Sequence, residues 1–226
     1  MTDGSQVNPT IREMTTPESR SADVTVRRLH PSELDRVKPL LVRAFHDDPL
    51  MQYAAPNETR RRKVILWLYS HNVQYGLQYG EVYTTDDLNA VAVWLPPGHS
   101  ALTLHGLLRT GYALAPFKLG WRAFIRIVRY SMVKNRLHKR CGRARHWYLF
   151  LIAVDPAVQG RGVGEKLLQP ILDKADAERA TCFLETTNGR SLQFFKRLGF
   201  IPCDQHKIRH TTLKIWAARR EPRASN

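Results

Sequence analysis

Cysteine is scarce in this sequence of 226 residues, which contains only Cys141, Cys182 and Cys203. Three cysteines cannot form a paired disulfide framework, and none of them lies in Cys-x-x-Cys spacing. The first residues lack the basic segment and apolar run of a secretory signal, and charges interrupt the longest weakly charged stretch, 84–121. We therefore expect no signal peptide, no membrane span and a cytoplasmic location.

Acidic residues are absent between Leu88 and Val154, an interval that holds eleven lysines and arginines. This interval supplies most of the formal net charge of +15. Such a positive field concentrates polyanions, among them phosphorylated cofactors, nucleic acids and anionic lipid surfaces. A solvated basic face that only keeps the protein in solution is an equally good interpretation.

Apolar residues make up 43% of the chain, which is enough for a folded core and excludes a disordered or collagen-like protein. The polar composition of residues 1–22 predicts a disordered N-terminal arm. Residues 23–218 are predicted to form one domain with a basic helical insert at 100–140, and residues 219–226 a basic C-terminal tail. We expect a monomer or a homodimer.

Strands and helices alternate in the second half of the sequence. Residues 147–154 form an apolar run short enough for a buried strand, a helix follows, and Thr181–Thr186 is predicted as the next strand. This order favours parallel pairing and an α/β fold. Closing strands are predicted at 199–203 and 211–216.

The turn between the first of these strands and its helix contains Gly160, Gly162 and Gly164. Glycines let the backbone approach a ligand closely, and a helix N-terminus offers free N–H groups to an anion. A P-loop is excluded because Glu165 follows the last glycine, and the G-x-G-x-G spacing does not fit the Rossmann pattern. These residues alone are also compatible with a tight strand-to-helix turn that binds no ligand.

Two motifs taken together carry a resemblance to a known family. Gln159-x-x-Gly162-x-Gly164 after an apolar strand is similar to the coenzyme A pyrophosphate loop of the GNAT superfamily of N-acetyltransferases. Residues 188–200 resemble the Asn…Phe-Tyr-x-x-x-Gly-Phe segment of the same superfamily. The resemblance spans about residues 24–217, and it implies a GNAT-like mixed central sheet with splayed parallel strands and helices on both faces.

The resemblance also implies where the acetyl donor, acetyl-CoA, binds: between the splayed strands at 147–154 and 181–186. Strand residues would hold the pantetheine arm, and the glycine turn would hold the pyrophosphate. No metal is implied. The residues implied in binding are Ile152, Ala153, Val154, Gln159, Gly160, Arg161, Gly162, Val163, Gly164, Glu165, Asn188, Ser191 and Phe195.

Acetyl transfer to an amine needs a base, because the attacking nitrogen must be neutral. Glu185, at the end of the second strand, is the candidate base, acting directly or through a water. Asp47 and Asp48 lie after the first predicted helix, where family members bind the acceptor, and are candidates for holding an ammonium group. The alternative for Glu185 is a strand-end acid that bonds only to a neighbouring loop. The alternative for Asp47 and Asp48 is that they only form the turn before Pro49.

The departing thiolate needs a proton or a stabilising charge. The family usually has a tyrosine at the position of Phe195, which has no proton to give. Tyr148 or a bound water is therefore the candidate acid, or the thiolate leaves unassisted.

Three functions remain open on the sequence. The first is a small-molecule N-acetyltransferase in which the acceptor amine attacks acetyl-CoA directly in a ternary complex. The second is an acetyltransferase of a peptide or aminoacyl-tRNA amine, since the acid-free stretch is compatible with nucleic acid, although nucleic acid is not favoured. The third is a non-catalytic CoA-binding or membrane-surface module, suggested by the apolar face of the basic helix near 119–139.

Overall fold

The computed structural model describes residues 24–99, 111–142 and 145–223. Within these ranges the strands are β1 (Val26–Arg28), β2 (Glu81–Thr85), β3 (Ala90–Leu95), β4 (His146–Val154), β5 (Thr181–Thr186), β6 (Ile201–Lys207) and β7 (Lys214–Arg220). The α-helices are α1 (Leu34–Phe45), α2 (Pro49–Ala54), α3 (Glu58–Tyr79), α4 (Ala115–Leu119), α5 (Trp121–Cys141), α6 (Val163–Ala177) and α7 (Gly189–Arg197). No helix among these residues is long and apolar enough to cross a bilayer.

The strands form one mixed sheet in the order β1-β2-β3-β4-β5-β7-β6. The β4–β5 pair is parallel, and the other neighbouring pairs are antiparallel. A parallel pair needs a long crossover, and α6 provides it. The α/β class and the mixed sheet predicted from the sequence are confirmed.

Two apolar cores cover the two faces of the sheet. One core joins the sheet to α1, α3 and α5, with Val37, Ile65 and Leu137 among its buried residues. The other joins the sheet to α6 and α7, with Leu168 and Leu192 among them. Helices therefore lie on both faces, as predicted.

The splay of the parallel strands begins at a bulge in β4. Val93 of β3 pairs with Leu151 and Trp94 pairs with Leu149, so Phe150 is an extra residue in β4. The parallel pairing of β4 with β5 also stops at Leu149. Because a bulge bends a strand and interrupts its ladder, residues 150–154 have no strand partner on the β5 side.

Several predicted boundaries differ from the structure. The predicted arm (1–22) and the start of the insert (100–110) lie outside the described residues, while the rest of the insert forms α4 and α5. Arg219 and Arg220, expected in the tail, are the last residues of β7. Arg220 is buried there, because its guanidinium binds both carboxylate oxygens of Asp176 at 2.7 and 2.6 Å.

Candidate active site

A cavity of about 590 Å³ lies where β4 and β5 separate. Its walls come from the ends of both strands, from α1 and α3, and from the cavity-facing side of α5. The basic insert therefore contributes residues to the site. The sequence of the insert did not predict this contribution. Its lining is mostly apolar and aromatic, and it includes the carboxylates Asp48 and Glu185.

Glu185 is an enclosed charged side chain of this cavity, with 1% of the side chain exposed. Its Oε1 atom lies 3.1 Å from Nδ1 of His138, and its Oε2 atom is buried without a hydrogen-bond partner among the described residues. A buried carboxylate oxygen that lacks a donor is costly unless a ligand supplies one. Glu185 is thus placed to accept a proton from a bound molecule.

His138 connects Glu185 to a second histidine. Its Nε2 atom lies 3.1 Å from Nε2 of His146, the first residue of β4. The three groups are satisfied together when His146 donates to His138 and His138 donates from Nδ1 to Glu185. That tautomer leaves Glu185 as the acceptor at the end of the chain of hydrogen bonds.

Lys134, one helical turn before His138, enters the same cavity. Its Nζ atom donates to the Tyr148 hydroxyl at 3.1 Å and lies over the ring of Phe150. Burial lowers the pKa of Lys134, against an opposing effect of the Glu185 carboxylate. Burial, reinforced by the same carboxylate, holds the pKa of Tyr148 well above its usual range. Of the two, Lys134 is therefore the group that gives up a proton more readily.

The glycine turn between β4 and α6 is an open cradle. Gly160 and Gly162 have φ of 78° and 77°, and a Cβ atom added at either would meet nothing within 4 Å. No described side chain caps the N-terminus of α6, which begins directly after Gly162. Gln159 closes the turn by donating from Nε2 to the carbonyl of Val154 at 2.9 Å. The turn combines free N–H groups, a helix dipole and room for an anion.

Comparison with known protein families finds a match to part of this chain. The sequence model of the Acetyltransferase (GNAT) family matches residues 113–200, which include the cradle, Glu185 and α7. Over this segment the chain is similar to the GNAT acetyltransferase family. It is an acetyl-CoA-dependent N-acetyltransferase by class.

Individual relatives are similar to this chain in sequence or in fold. An uncharacterised N-acetyltransferase of Schizosaccharomyces pombe is 24% identical over 184 residues, which cover 79% of this chain and 74% of that protein. A Corynebacterium glutamicum protein described as histone acetyltransferase HPA2 and related acetyltransferase has a TM-score of 0.61 and 21% identity, covering 90% of this chain and 98% of its own. Arylalkylamine N-acetyltransferase 2 of Aedes aegypti has a TM-score of 0.61 and 15% identity, covering 88% and 99%.

The residues of this acetyltransferase fit acetyl-CoA on the donor side. Residues 150–154 leave one strand edge without a strand partner, and Ile152 lines the cavity there while Ala153 is buried beside it. An unpaired strand edge binds amide groups of an extended chain such as pantetheine. The cradle has the room and the N–H groups that a pyrophosphate needs, while Arg161 and Glu165 project from it as exposed side chains.

The remaining predicted donor-site residues lie on or next to α7. Asn188 caps this helix, because its Oδ1 atom accepts from the N–H groups of Arg190 and Ser191. Asn188, Ser191 and Phe195 all line the cavity. Phe195 is buried and packs edge-on against Phe200, so at this position the acetyltransferase has an apolar wall.

The two candidate acceptor-binding acids lie in different places. Asp48 lines the cavity and caps α2, accepting from the N–H groups of Leu50 and Met51 at 2.9 and 3.2 Å. Desolvation raises the pKa of Asp48 to about 6. Asp47 points away: its side chain is 85% exposed and bonds to His46.

Aromatic rings form much of the acceptor side of the cavity. Phe45 stacks on Tyr69 with ring centroids 3.9 Å apart, and Trp67 meets Tyr112 edge-on at 5.6 Å. Tyr130 of α5 completes this wall. Such a surface binds apolar and cationic groups, the latter through the ring faces.

Lys134 and His138, both part of the insert, are site residues that the sequence did not predict. Both lie in the acid-free interval, for which the sequence indicated no role in the site. Helical spacing places both on the same face as Leu137 and Cys141, opposite Trp121, but only the structure shows that this face is the buried one. A charged residue on the buried face of an amphipathic helix indicates a functional contact.

Proposed function

We propose that this enzyme transfers the acetyl group of acetyl-CoA to the primary amine of a small, largely apolar molecule bound in the cavity. The observation that carries the proposal is Glu185, a buried carboxylate with an unpartnered oxygen at the point where β4 and β5 separate. Direct attack in a ternary complex is consistent with one cavity that borders both the strand edge and the acceptor wall.

The cavity favours an amine carried on an aromatic or aliphatic group. Its acceptor wall consists of rings, and its two carboxylates, Asp48 and Glu185, suit one ammonium group. The net charge of +15 disfavours a polycation at long range. The Aedes aegypti neighbour is an arylalkylamine N-acetyltransferase, which supports an acceptor of this kind.

In the proposed mechanism, each group of the chain moves or holds one charge. Glu185 takes a proton from the acceptor ammonium, so that the neutral nitrogen attacks the thioester carbon. The N–H groups of the β4 edge near Val154 stabilise the charge that develops on the carbonyl oxygen. The carbon–nitrogen bond forms, the carbon–sulfur bond breaks, and the electron pair leaves on sulfur. The nitrogen then releases its second proton to solvent, which leaves a neutral amide. Lys134 stabilises that thiolate, directly or through Tyr148, and supplies its proton.

Puromycin is a useful member of an acceptor panel. Ala90–Leu95 and Thr181–Thr186 contain the segments Ala-Val-Ala-Val-Trp and Phe-Leu-Glu-Thr, which resemble segments of puromycin N-acetyltransferase.

The free thiols of Cys141, Cys182 and Cys203 support a reducing compartment such as the cytoplasm.

The test is the release of free thiol from acetyl-CoA by the full chain in the presence of a panel of amines, with mass spectrometry of the products. We expect turnover with arylalkylamines or puromycin and little with spermidine or aminoglycosides. If acetyl-CoA binds and no small amine is acetylated, the small-molecule proposal fails, and peptide or aminoacyl-tRNA acceptors take its place.

A further inference from the structure

Helix α5 exposes an apolar arc to solvent. The sequence places Trp121, Ile125, Val128 and Met132 on one helix face, and a face of this kind normally packs on a core. In the structure Trp121 is 65% exposed and Met132 is 54% exposed, while the buried residues of α5 are Ala123, Leu137 and Cys141. Val128 also borders the cavity, whereas packing within the domain does not account for Trp121, Ile125 and Met132.

The arc continues beyond α5 onto the preceding helix. Phe117 of α4 is 84% exposed, the highest value among the large apolar side chains of the described residues. Within α5 the arc runs for about 16 Å, from Trp121 to Met132. Exposed apolar side chains that occur singly are ordinary, whereas a contiguous row that includes Trp and Phe marks an interaction surface.

A row of arginines borders the arc along α5. Arg122, Arg129 and Arg136 recur every seventh residue, so they lie along one edge of the apolar face, and all three are exposed. None of them takes part in an ion pair with a carboxylate of the described residues. Arg126, by contrast, is turned inward and donates to the carbonyl of Tyr53 at 2.9 Å.

We propose that this face, Phe117 and α5 from Trp121 to Arg136, docks the enzyme on an anionic membrane surface. An amphipathic helix lying in the interface inserts its apolar face below the headgroups and pairs its basic flank with anionic lipids. The arc and the arginine row supply these two features on one face. The proposal is independent of the acceptor assigned above.

Other occupants match the face less well. A symmetric dimer that pairs α5 antiparallel with its copy would bring the arginine rows of the two chains together, and like charges oppose that contact. Nucleic acid would pair with the arginines, but the aliphatic arc between Trp121 and Met132 offers phosphates nothing to bind. An anionic bilayer is complementary to both parts of the surface.

The test is co-flotation of the full chain with vesicles of phosphatidylcholine alone and with vesicles in which phosphatidylserine replaces part of it. We expect binding to the phosphatidylserine vesicles only, with release at high salt because the lipid charge is screened. Phe117→Ser with Trp121→Ser should abolish flotation. Ile201→Ser, which removes an exposed apolar side chain of β6, is the matched control and should bind like the wild type.

A second variant keeps the test decisive if the first does not fold. Arg122→Ser with Arg129→Ser leaves the arc intact and should weaken vesicle binding about 30-fold, whereas Arg62→Ser on α3 should not. Failure to float with either vesicle, or flotation that survives both double variants, overturns the proposal. A dimer in light scattering that Trp121→Ser dissociates would assign the face to a second copy and also overturn it.

Discussion

The Nδ1 atom of His138 lies 3.1 Å from Oε1 of Glu185, which joins the basic insert to the strand that carries the candidate base. The two residues are 47 positions apart in the chain, and His138 reaches Glu185 because α5 packs against β6 and β7, which lie beside β5 in the sheet. A contact to only one carboxylate oxygen fixes the orientation of Glu185 and leaves Oε2 for the acceptor.

His138→Gln is expected to lower kcat about tenfold while the KM for acetyl-CoA stays unchanged, because the base loses its orientation and not the donor site. Steady-state thiol release measures both constants. Combined with Glu185→Gln, the loss should be less than the sum of the two single effects, since the residues act as a unit. His206→Gln, on the exposed strand β6, is the control. Additive losses would show that His138 acts elsewhere.

Lys134→Met is expected to lower kcat by about 10²-fold, because the thiolate loses its positive neighbour. Lys134 has a lowered pKa, so its protonated form disappears as the pH rises through that pKa. The wild-type rate should therefore fall on the alkaline side, and that fall should be absent in the variant. Lys63→Met on α3 keeps the wild-type profile. An unchanged alkaline limb in Lys134→Met contradicts this role.

Asp48 should make the protein less stable as the pH rises from about 4 to about 6. Its pKa is raised from 3.8 to about 6 by desolvation, so between these values the folded state holds more protons than the unfolded state. The free energy of unfolding then decreases with increasing pH. Urea midpoints across this range, for the wild type and Asp48→Asn, measure the effect. Asp48→Asn should lack this decrease in the free energy of unfolding. An identical pH dependence in both proteins would refute the assignment of the decrease to Asp48.

Gly162→Ala is expected to raise the KM for acetyl-CoA about tenfold or more, because a methyl group enters the open cradle and φ is 77°. Gly98→Ala is a matched control: φ is 91°, the surroundings are equally open, and the residue lies outside the cradle. Both variants should lose similar stability in thermal melts. Equal KM values for acetyl-CoA in the two variants would mean that the cradle does not bind the donor.

Local patterns were sufficient to predict the elements that hold the donor. The apolar run that became β4, the glycine turn and β5 are each determined by neighbouring residues, so their bounds were predicted closely. Helix α2 was missed because it has only six residues and starts at Pro49, which in sequence resembles a loop. The strands at the end of the chain were displaced by several residues, since pairing with β5 sets their register.

The acceptor side depends on tertiary contacts that no local pattern reports. A helix with charges on every side, such as α5, does not reveal from its sequence which face packs on the sheet. The most apolar row, from Trp121 to Met132, was the natural candidate for the core, and the structure exposes it. The burial of Leu137 and Cys141 orients α5. Lys134 and His138 lie on the same face of the helix, so their side chains reach the cavity.

The most direct test of the account is acetyl-CoA thiol release by Glu185→Gln beside Glu58→Gln, an exposed glutamate of α3, with acetyl-CoA affinity measured by calorimetry for both. The account predicts that Glu185→Gln binds acetyl-CoA like the wild type and loses kcat by about 10²–10⁴-fold, while Glu58→Gln keeps full activity. Wild-type turnover in Glu185→Gln, with the fold intact, would contradict the assignment of Glu185 as the base.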